Sequence, residues 1–336
     1  MKYIISTISV GLHRPSILRS IIDSGSNVLR YNVAYEPDAK IFEHINRARQ
    51  IAQSVNRNIE IMLDIPGNKP RVSLPLNNNR KLRVTYRERI YIDSLKHPVY
   101  NSGNKRICVN EDQFIRSAKV NDICLIDDGS IALQIVSRAI EGSLETLALN
   151  SGVIFPNKGI WIQGKSIDSL ISLADILKYE NLIKLVNPEW IAVSFAYGGL
   201  VREVKSCFNS TFSKQHRPKI ASKIESQNGI DTLSEIAKYS DMLIVARGDL
   251  AQLCEFTKLG TLQDLIINSG KKNNIPTVVA TQILDSTIDR YVPSRAEIID
   301  LYYLLISGAA GVMLSDAVVH SSNPQRPIEI VSKFMS

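Results

Sequence analysis

The stretch KIASKIESQNGIDTLSEIAKYSDMLIVARGDL, residues 219–250, decides the fold. It opens with an apolar run that ends at Lys223-Ile224-Glu225, and it closes with a second run, Met242–Ala246, followed by Arg247-Gly248-Asp249. Between the two runs, apolar residues recur at helical spacing, namely Ile230, Leu233, Ile236 and Ala237. Continuous apolar strands joined by a helix are typical of a parallel sheet that is buried on both faces.

The same alternation of strand and helix extends in both directions from this stretch. Eight strand-like runs occur in all: Tyr3–Ile8, Val28–Val33, Ile59–Asp64, Trp190–Phe195, Lys219–Ile224, Met242–Ala246, Thr277–Gln282 and Gly311–Leu314. Helical patterns lie between them, such as the one that stops at Gly25 and the one that precedes Gly308, and the last is Pro327–Met335. This pattern predicts an α/β protein with a (β/α)8 TIM barrel, and a doubly wound sheet is the alternative.

The alternation stops between Pro70 and about Phe155. Short strand-like runs separated by turn residues take its place, namely Leu82–Tyr86, Ile90–Ile92, Ile123–Ile126 and Ile131–Val136. We expect a small all-β lid domain inserted after the third strand, above the active-site face of the barrel. The expected boundaries are residues 1–70 for the first part of the barrel, 71–157 for the lid and 158–336 for the second part of the barrel.

Composition narrows the classes of function. The 336 residues include 40 Lys and Arg against 33 Asp and Glu, a net charge of +7, which suits an anionic partner or a solvated basic surface. No basic run has the density of a nucleic-acid arm, so we expect no nucleic-acid partner. The four cysteines form no CxxC pair, which disfavours a zinc site. We find no signal-peptide pattern and no membrane-length apolar run, so we expect a cytoplasmic protein without a membrane partner.

Polar residues stand where the fifth, sixth and seventh strands are predicted to end. Lys223 and Glu225 follow one face of the fifth strand, Asp249 comes after the sixth, and Thr281 ends the seventh. Two carboxylates at one face of a barrel suit a hard divalent cation, and a lysine beside them supplies a positive charge or a proton donor. A strand-end salt bridge is the simpler explanation for any one such pair.

Basic residues also mark the first half of the barrel. Arg30 and Asn32 end the second strand, Asp64 ends the third, and Arg71 lies just beyond it. Two arginines at one barrel mouth suit phosphate oxygens, because the guanidinium group binds them in a bidentate fashion. Each arginine taken alone is equally well explained by a surface or hinge salt bridge.

Taken together, these motifs resemble the catalytic barrel of the pyruvate kinase family. The segments that carry the resemblance are ISTIS, SGSNVLRYN, MLDIPG followed by Arg71, LIDDG, NKG ahead of Gln163-Gly164, ASKIES, SDMLIVARGDL, PTVVATQILDS, PSRAE and AGVMLSD, and they span about residues 2–335. The resemblance implies a phosphotransferase that moves a phosphoryl group between phosphoenolpyruvate and ADP or ATP, with pyruvate or a related 2-oxo acid as the other substrate. It also implies Mg²⁺ or Mn²⁺ as cofactor.

The resemblance further implies a role for each matching position. Lys223 would stand beside the enolate or the transferred phosphoryl group, and Arg30 would clamp that group. Glu225 and Asp249 would bind the metal. The substrate would contact Ala246, Gly248, Asp249, Thr281 and Ser194, with Thr281 also close to the reacting methyl carbon. The nucleotide phosphates would meet Arg71, Asn32, Lys158 and Asp128.

The departures from the family pattern lie mainly on the nucleotide side. The family's Asn-Phe-Ser-His is Asn32-Val33-Ala34-Tyr35 here, and its Thr-Lys after the aspartate is Ile65-Pro66. Asn32, Asp64 and Lys69 are then the remnant of the family's monovalent-cation site. Since K⁺-independent members tend to have a lysine at the position of Lys69, we expect that K⁺ is not required.

Three functions remain open at this stage. The first is phosphoryl transfer between phosphoenolpyruvate and a nucleotide. The second keeps the metal and enolate chemistry but uses another acceptor, or enolises or decarboxylates a 2-oxo acid in a specialised pathway. The third is a non-catalytic paralogue that binds phosphoenolpyruvate. The sequence stops where the family's further C-terminal domain would begin, so we expect a monomer or dimer without sugar-phosphate effectors.

Overall fold

A computed structural model describes residues 2–34, 36–74, 81–99, 104–138, 142–165 and 170–335. It divides into two compact units. The first unit consists of Met1–Gly67, Ile171–Gly248 and Gly260–Ser336, and the second of Asn68–Leu170 and Asp249–Leu259.

Strands and helices follow each other in the order that the sequence pattern indicates. The strands are β1 (Tyr3–Ile8), β2 (Val28–Asn32), β3 (Glu60–Ile65), β4 (Val72–Ser73), β5 (Leu82–Val84), β6 (Arg89–Ser94), β7 (Arg106–Val109), β8 (Ile123–Ile126), β9 (Ile131–Arg138), β10 (Leu144–Ala148), β11 (Gly152–Ile154), β12 (Ile160–Ile162), β13 (Trp190–Val193), β14 (Lys219–Ile224), β15 (Met242–Ala246), β16 (Thr277–Ala280) and β17 (Gly311–Leu314). The α-helices are α1 (Pro15–Asp23), α2 (Asp38–Ser54), α3 (Asp112–Ser117), α4 (Leu173–Leu177), α5 (Glu180–Val186), α6 (Gly198–Thr211), α7 (Gln227–Asp231), α8 (Leu233–Tyr239), α9 (Arg247–Leu253), α10 (Leu259–Lys272), α11 (Arg295–Ile306), α12 (Asp316–Val319) and α13 (Gln325–Met335). Short 3₁₀ turns cover Val10–Leu12, Phe256–Lys258 and Asp285–Ile288.

The first unit is a closed parallel barrel. Its strands pair in the order β1-β17-β16-β15-β14-β13-β3-β2, and each pair is parallel. The predicted TIM barrel is therefore confirmed, and the doubly wound sheet is excluded because the first strand closes on the last. In such a barrel the C-terminal ends of all the strands lie on one face, where TIM-barrel enzymes have their active sites.

The barrel interior is filled by apolar side chains rather than by a channel. The buried cluster consists of Ile5, Val28, Met62, Trp190, Ala192, Ala221, Met242, Ile244, Val278, Ala280 and Met313. Small alanines stand beside large Trp190 and the methionines, so the layers interdigitate at the density of a normal core. A packed interior leaves chemistry to the strand ends and to the loops that follow them.

Three of the predicted barrel strands end earlier than the apolar pattern indicates, the second by one residue, at Asn32, and the fourth and seventh by two residues. The seventh strand stops at Ala280 because Thr281 (φ 75°) and Gln282 (φ 53°) are in the left-handed region. The fourth stops at Val193, shortly before Phe195, whose φ is 46°. Positive φ at a non-glycine residue is strained, and it redirects the chain at the barrel mouth.

The helix after β14 is also interrupted. The single helical pattern of the sequence becomes α7 and α8, which meet at Thr232. The Thr232 hydroxyl donates to the Asn228 carbonyl at 2.7 Å and accepts from the Gly198 amide at 3.0 Å. A threonine that bonds back to the preceding turn competes with the helix, which explains the break.

The second unit contains two sheets of short strands. The larger has the order β12-β8-β9-β10-β6-β7-β4, and the smaller is β11 with β5. Its polar core includes Arg106, whose guanidinium forms a bidentate pair with Asp93 at 2.8 Å and 2.8 Å. Because β12 pairs with β8, the chain near residue 160 belongs to this sheet.

Among the described residues, no helix combines the length and the apolar character that crossing a membrane requires.

Candidate active site

A network of buried charges lies at the ends of β2, β3 and β14. Arg30 donates from Nε to Asp64 Oδ2 at 2.7 Å and places Nη2 2.6 Å from the same oxygen. Lys223 Nζ lies 3.4 Å from Asp64 Oδ2 and 3.1 Å from Glu225 Oε1. Asp64 and Glu225 are nearly inaccessible to solvent, and only 13% of each basic side chain is exposed. The barrel therefore brings together four residues that are far apart in sequence.

Neutral groups complete this network. Ser194 accepts a hydrogen bond from Lys223 Nζ at 3.0 Å and donates to the Ile65 carbonyl at 2.7 Å. The Phe195 amide donates to Glu225 Oε2 at 2.6 Å. This bond is possible because the left-handed backbone at Phe195 turns the chain towards Glu225. The carboxylate of Glu225 is thus fixed on both of its oxygens.

Electrostatics keeps both ends of the network ionised. Burial opposes ionisation of Asp64, but the charges of Lys223 and Arg30 outweigh it and lower the pKa of that carboxyl. Burial likewise disfavours the charged ammonium of Lys223, but Asp64 and Glu225 outweigh it and raise its pKa. Lys223 is therefore a fixed positive charge at neutral pH in a site of low dielectric.

Thr7 was not identified from the sequence, although it contacts the network directly. Arg30 Nη1 donates to Thr7 Oγ1 at 2.9 Å, and this hydroxyl lies 3.2 Å from Ser315 Oγ. Thr7 lies on β1, which pairs with β2, and Ser315 follows β17, the other neighbour of β1 in the closed barrel. A sequence pattern gave no signal for them, because isolated Ser and Thr residues are common at strand ends.

Gly248 and Thr281, both predicted to bind substrate, pack closely against each other. A Cβ atom placed on Gly248 would lie 3.1 Å from Thr281 Cγ2, so a larger residue at 248 would displace the threonine. Arg247 fixes the strained turn, since Nη2 donates to the Thr281 carbonyl at 2.7 Å and to the Gln282 carbonyl at 2.9 Å. Asp300 holds the guanidinium in turn at 2.8 Å. Ala246, the end of β15, is buried just before this turn.

In the second unit, Asp249 is bound by two donors. Lys69 Nζ and Trp161 Nε1 lie 2.5 Å and 3.0 Å from Asp249 Oδ1. Lys69, predicted as part of a monovalent-cation remnant with Asn32 and Asp64, is thus the ion-pair partner of Asp249. The contact of Trp161 was not predicted from the sequence.

The predicted nucleotide residues of the second unit have partners of their own. Arg71 Nη1 donates to the Asn157 carbonyl at 2.7 Å, and Lys158 pairs with Asp127 at 2.8 Å. Asp128 accepts from Gln252 Nε2 at 2.7 Å. Burial raises the pKa of Asp128, with Lys69 opposing and Asp249 adding to the effect.

A cavity of about 590 Å³ opens in the barrel unit beside Arg30. Its lining includes Thr7, Asn32, Ser315, His13 and Glu36. The Asn32 side chain accepts from the Ala34 amide at 3.0 Å, which closes the turn after β2. Glu225 belongs to the same unit as this cavity, whereas Asp249 belongs to the second unit.

Comparisons with known proteins all point to one family and cover nearly the whole chain. The family model for pyruvate kinase, barrel domain, matches residues 1–330. A pyruvate kinase of Sporosarcina psychrophila is 28% identical over 334 residues, which cover 98% of this chain and 56% of that protein. One of Aeropyrum pernix is 27% identical over 99% of this chain and 70% of its own length, and one of Borreliella burgdorferi is 29% identical over 98% and 67%. The chain thus spans little more than half of the Sporosarcina relative, and it belongs to the pyruvate kinase family.

Proposed function

We propose that this chain is a phosphotransferase that moves a phosphoryl group between phosphoenolpyruvate and a nucleotide. The observation that best supports the proposal is Lys223, a buried ammonium held between Asp64 and Glu225 and next to Arg30. A structural role needs no such arrangement, because buried ion pairs contribute little net stability compared with apolar packing. A reaction that creates negative charge at the barrel mouth does need it.

Lys223 would stabilise the enolate. In the transfer, the bond between phosphorus and the enol oxygen breaks, and a new bond forms to the terminal phosphate oxygen of a nucleoside diphosphate. The enolate left behind takes a proton on its methylene carbon and becomes pyruvate. Lys223 is protonated before the reaction and is already oriented by Ser194 and Glu225, so no reorganisation is needed when charge develops.

Arg30 would bind the transferred phosphoryl group. Its guanidinium is fixed by Asp64 on one edge, while Nη1 faces the neutral hydroxyl of Thr7. A phosphoryl oxygen is a stronger acceptor than a hydroxyl, and it would replace Thr7 on that nitrogen. Gly248, Thr281 and Ala246 would bind the substrate carboxylate and the methyl end, as in the family.

Glu225 and Asp249 are suitable ligands for Mg²⁺ or Mn²⁺. Both offer carboxylate oxygens, which these hard cations prefer, and each follows one of two neighbouring parallel strands, β14 and β15. Such an ion would neutralise charge on phosphate and enolate oxygens. The Phe195 amide keeps Glu225 in one orientation, and Lys69 offsets the charge of Asp249.

The nucleotide phosphates would meet Arg71, Lys158, Asn32 and Asp128. A different acceptor is the second candidate, because Ala34 and buried Ile65 have no side-chain oxygen where the family has a serine and a threonine. We also propose that K⁺ is dispensable, since Arg30 and Lys223 already compensate Asp64 within the barrel unit.

A coupled assay of pyruvate release from phosphoenolpyruvate distinguishes these functions. Release that requires ADP and Mg²⁺, and that stops in excess chelator, is the expected result. Release without ADP would identify the second candidate. Binding of phosphoenolpyruvate without turnover by the folded protein would contradict an enzymatic role.

A further inference from the structure

Two histidines and a glutamate form a cluster beside the barrel cavity, and two of the three, His13 and Glu36, line that cavity. His13 ends the short turn after β1, Glu36 lies in the connection between β2 and α2, and His44 lies on α2. His44 Nδ1 is 2.9 Å from Glu36 Oε2, and His13 Nε2 is 3.5 Å from Glu36 Oε1. Taking one ligand atom from each residue, all three lie within 4.8 Å of one another. This spacing is what a single metal ion bridges.

The cluster is buried and incompletely satisfied. His13 is only 6% exposed, and its Nδ1 has no hydrogen-bond partner in the part of the chain that the structure describes. The buried hydroxyl of Tyr31, which stacks against His13, also has none. A buried polar atom without a partner is destabilising, so this wall of the cavity favours a ligand that supplies one.

We propose that His13, Glu36 and His44 bind a divalent transition-metal ion of the Zn²⁺ class. Two imidazole nitrogens and one carboxylate oxygen are the donor set that Zn²⁺ prefers, whereas Mg²⁺ binds imidazole poorly. Three protein ligands leave one tetrahedral position for water or for an anionic oxygen from the cavity. The site is separate from Glu225 and Asp249, and it does not depend on the proposed function.

One ring has to turn when the ion binds. The imidazoles of His13 and His44 are stacked at 3.4 Å with an angle of 17° between their planes, so their nitrogen lone pairs lie in two nearly parallel planes and do not converge on one point. His44 is the ring with room to move, since 15% of its side chain is exposed against 7% for His13. Arg47 adds little repulsion, because its guanidinium pairs with Glu43 at 2.8 Å.

The test is Zn²⁺ binding to the full chain, measured by calorimetry after chelator treatment and dialysis. Excess Mg²⁺ is present to saturate oxygen-ligand sites, and no substrate is added. We expect one Zn²⁺ per chain, and His44→Gln should weaken binding by about 100-fold because one ligand of three is lost. Glutamine is a good helix former, so this variant keeps α2 intact.

Co²⁺ supplies a second readout, because its visible absorption reports coordination. Ligand-field bands should appear in the wild type and in the control His216→Gln, whose ring lies beside Asn187 outside the cavity, and they should be lost in His44→Gln. Failure of the wild type to bind Zn²⁺ would overturn the proposal. Unchanged Zn²⁺ affinity in His44→Gln would also overturn it, because the ion would then sit on other groups such as the cysteines.

Discussion

Lys223 is a buried charged residue in contact with Asp64, Glu225 and Ser194, and the proposed enolate chemistry depends on it. The variant Lys223→Ala should lower the turnover number by about 10²–10³-fold, since one preorganised electrostatic group contributes about 3–4 kcal/mol to transition-state stabilisation. The measurement is the steady-state rate of pyruvate release. Its matched control is Lys219→Ala, which removes an exposed lysine at the other end of the same strand.

Removing Lys223 also leaves Asp64 and Glu225 without one of their cations, so the fold of the variant has to be verified. Circular dichroism and thermal unfolding should show a folded protein with a lower midpoint, because an uncompensated buried charge is costly. Turnover equal to that of Lys219→Ala in a folded Lys223→Ala protein would contradict the assignment of Lys223.

Asp285 predicts a pH dependence of stability. Burial, reinforced by the charge of Asp316, raises the pKa of this half-buried carboxyl to about 6, above the usual range of an aspartate. The folded state therefore binds the proton more tightly than the unfolded state does, and stability falls as pH rises from about 4 to about 6. Asp285→Asn should remove this loss and be more stable than the wild type at pH 7 by about 1 kcal/mol.

Chemical denaturation at several pH values measures the effect of Asp285. Asparagine still accepts the backbone hydrogen bond from Ala317, so the local geometry is kept. The control Asp289→Asn alters an exposed carboxylate four residues away and should follow the wild-type curve. Parallel curves for Asp285→Asn and the wild type between pH 4 and 7 would show that burial of Asp285 has no such cost.

The ion pairs of Asp64 lead to a prediction about how the reaction rate responds to monovalent cations. Arg30 and Lys223 already lie within ion-pair distance of this buried carboxylate. We therefore expect equal rates in potassium and tetramethylammonium salts at equal ionic strength. Strong activation of the wild type by K⁺ would contradict this. Activation that appears only in Lys69→Glu would assign the compensating charge to Lys69.

At the scale of the element, the capping box of α11 is the clearest determinant of local stability. Ser294 accepts from the Glu297 amide at 3.3 Å, and Glu297 accepts from the Ser294 amide at 2.9 Å. Glu297 also binds Ser286, which ties the preceding turn to the helix. Ser294→Ala should therefore lower the free energy of unfolding by about 1 kcal/mol.

Urea denaturation of Ser294→Ala gives this free energy. The control is Ser24→Ala at the end of α1, because Ser24 caps that helix through its backbone N–H rather than its side chain. Equal losses in the two variants would mean that the capping box contributes nothing specific to α11.

The secondary-structure elements also show how much of the fold can be predicted from the sequence pattern. Runs such as Lys219–Ile224 and Met242–Ala246 are strands as predicted, because their continuous apolar character reflects burial on both faces. Strand ends were less predictable, since the left-handed turn at Thr281 depends on Arg247, which binds its carbonyl across 34 residues. Local backbone propensity cannot predict a turn that depends on such a long-range contact.

The candidate site, like the fold, could be predicted from the sequence only in part. Lys223 and Glu225 were found because a polar pair interrupts an apolar strand at its end. The cluster of His13, Glu36 and His44 was missed, since its members come from three elements and have no metal-binding spacing in the sequence. The parallel pairing of β1 with β2 brings the segments that follow these two strands together.

For the whole molecule, we propose that the phosphoenolpyruvate chemistry belongs to the barrel unit and that the nucleotide phosphates bind mainly to the second unit. The barrel assignment follows from topology, because β1, β2, β3, β13 and β14 lie side by side in the barrel and hold Thr7, Arg30, Asp64 and Lys223 at one face. The nucleotide assignment is a proposal that rests on Arg71, Lys158 and Asp128 at positions that match the family.

The most direct test of the central claim follows both substrates in one reaction. Phosphorus NMR of phosphoenolpyruvate, ADP and Mg²⁺ with the full chain reports where the phosphoryl group goes. We expect the phosphoenolpyruvate signal to be lost while ATP appears in equal amount, together with pyruvate. An unchanged phosphoenolpyruvate signal, or release of inorganic phosphate in place of ATP, would contradict it.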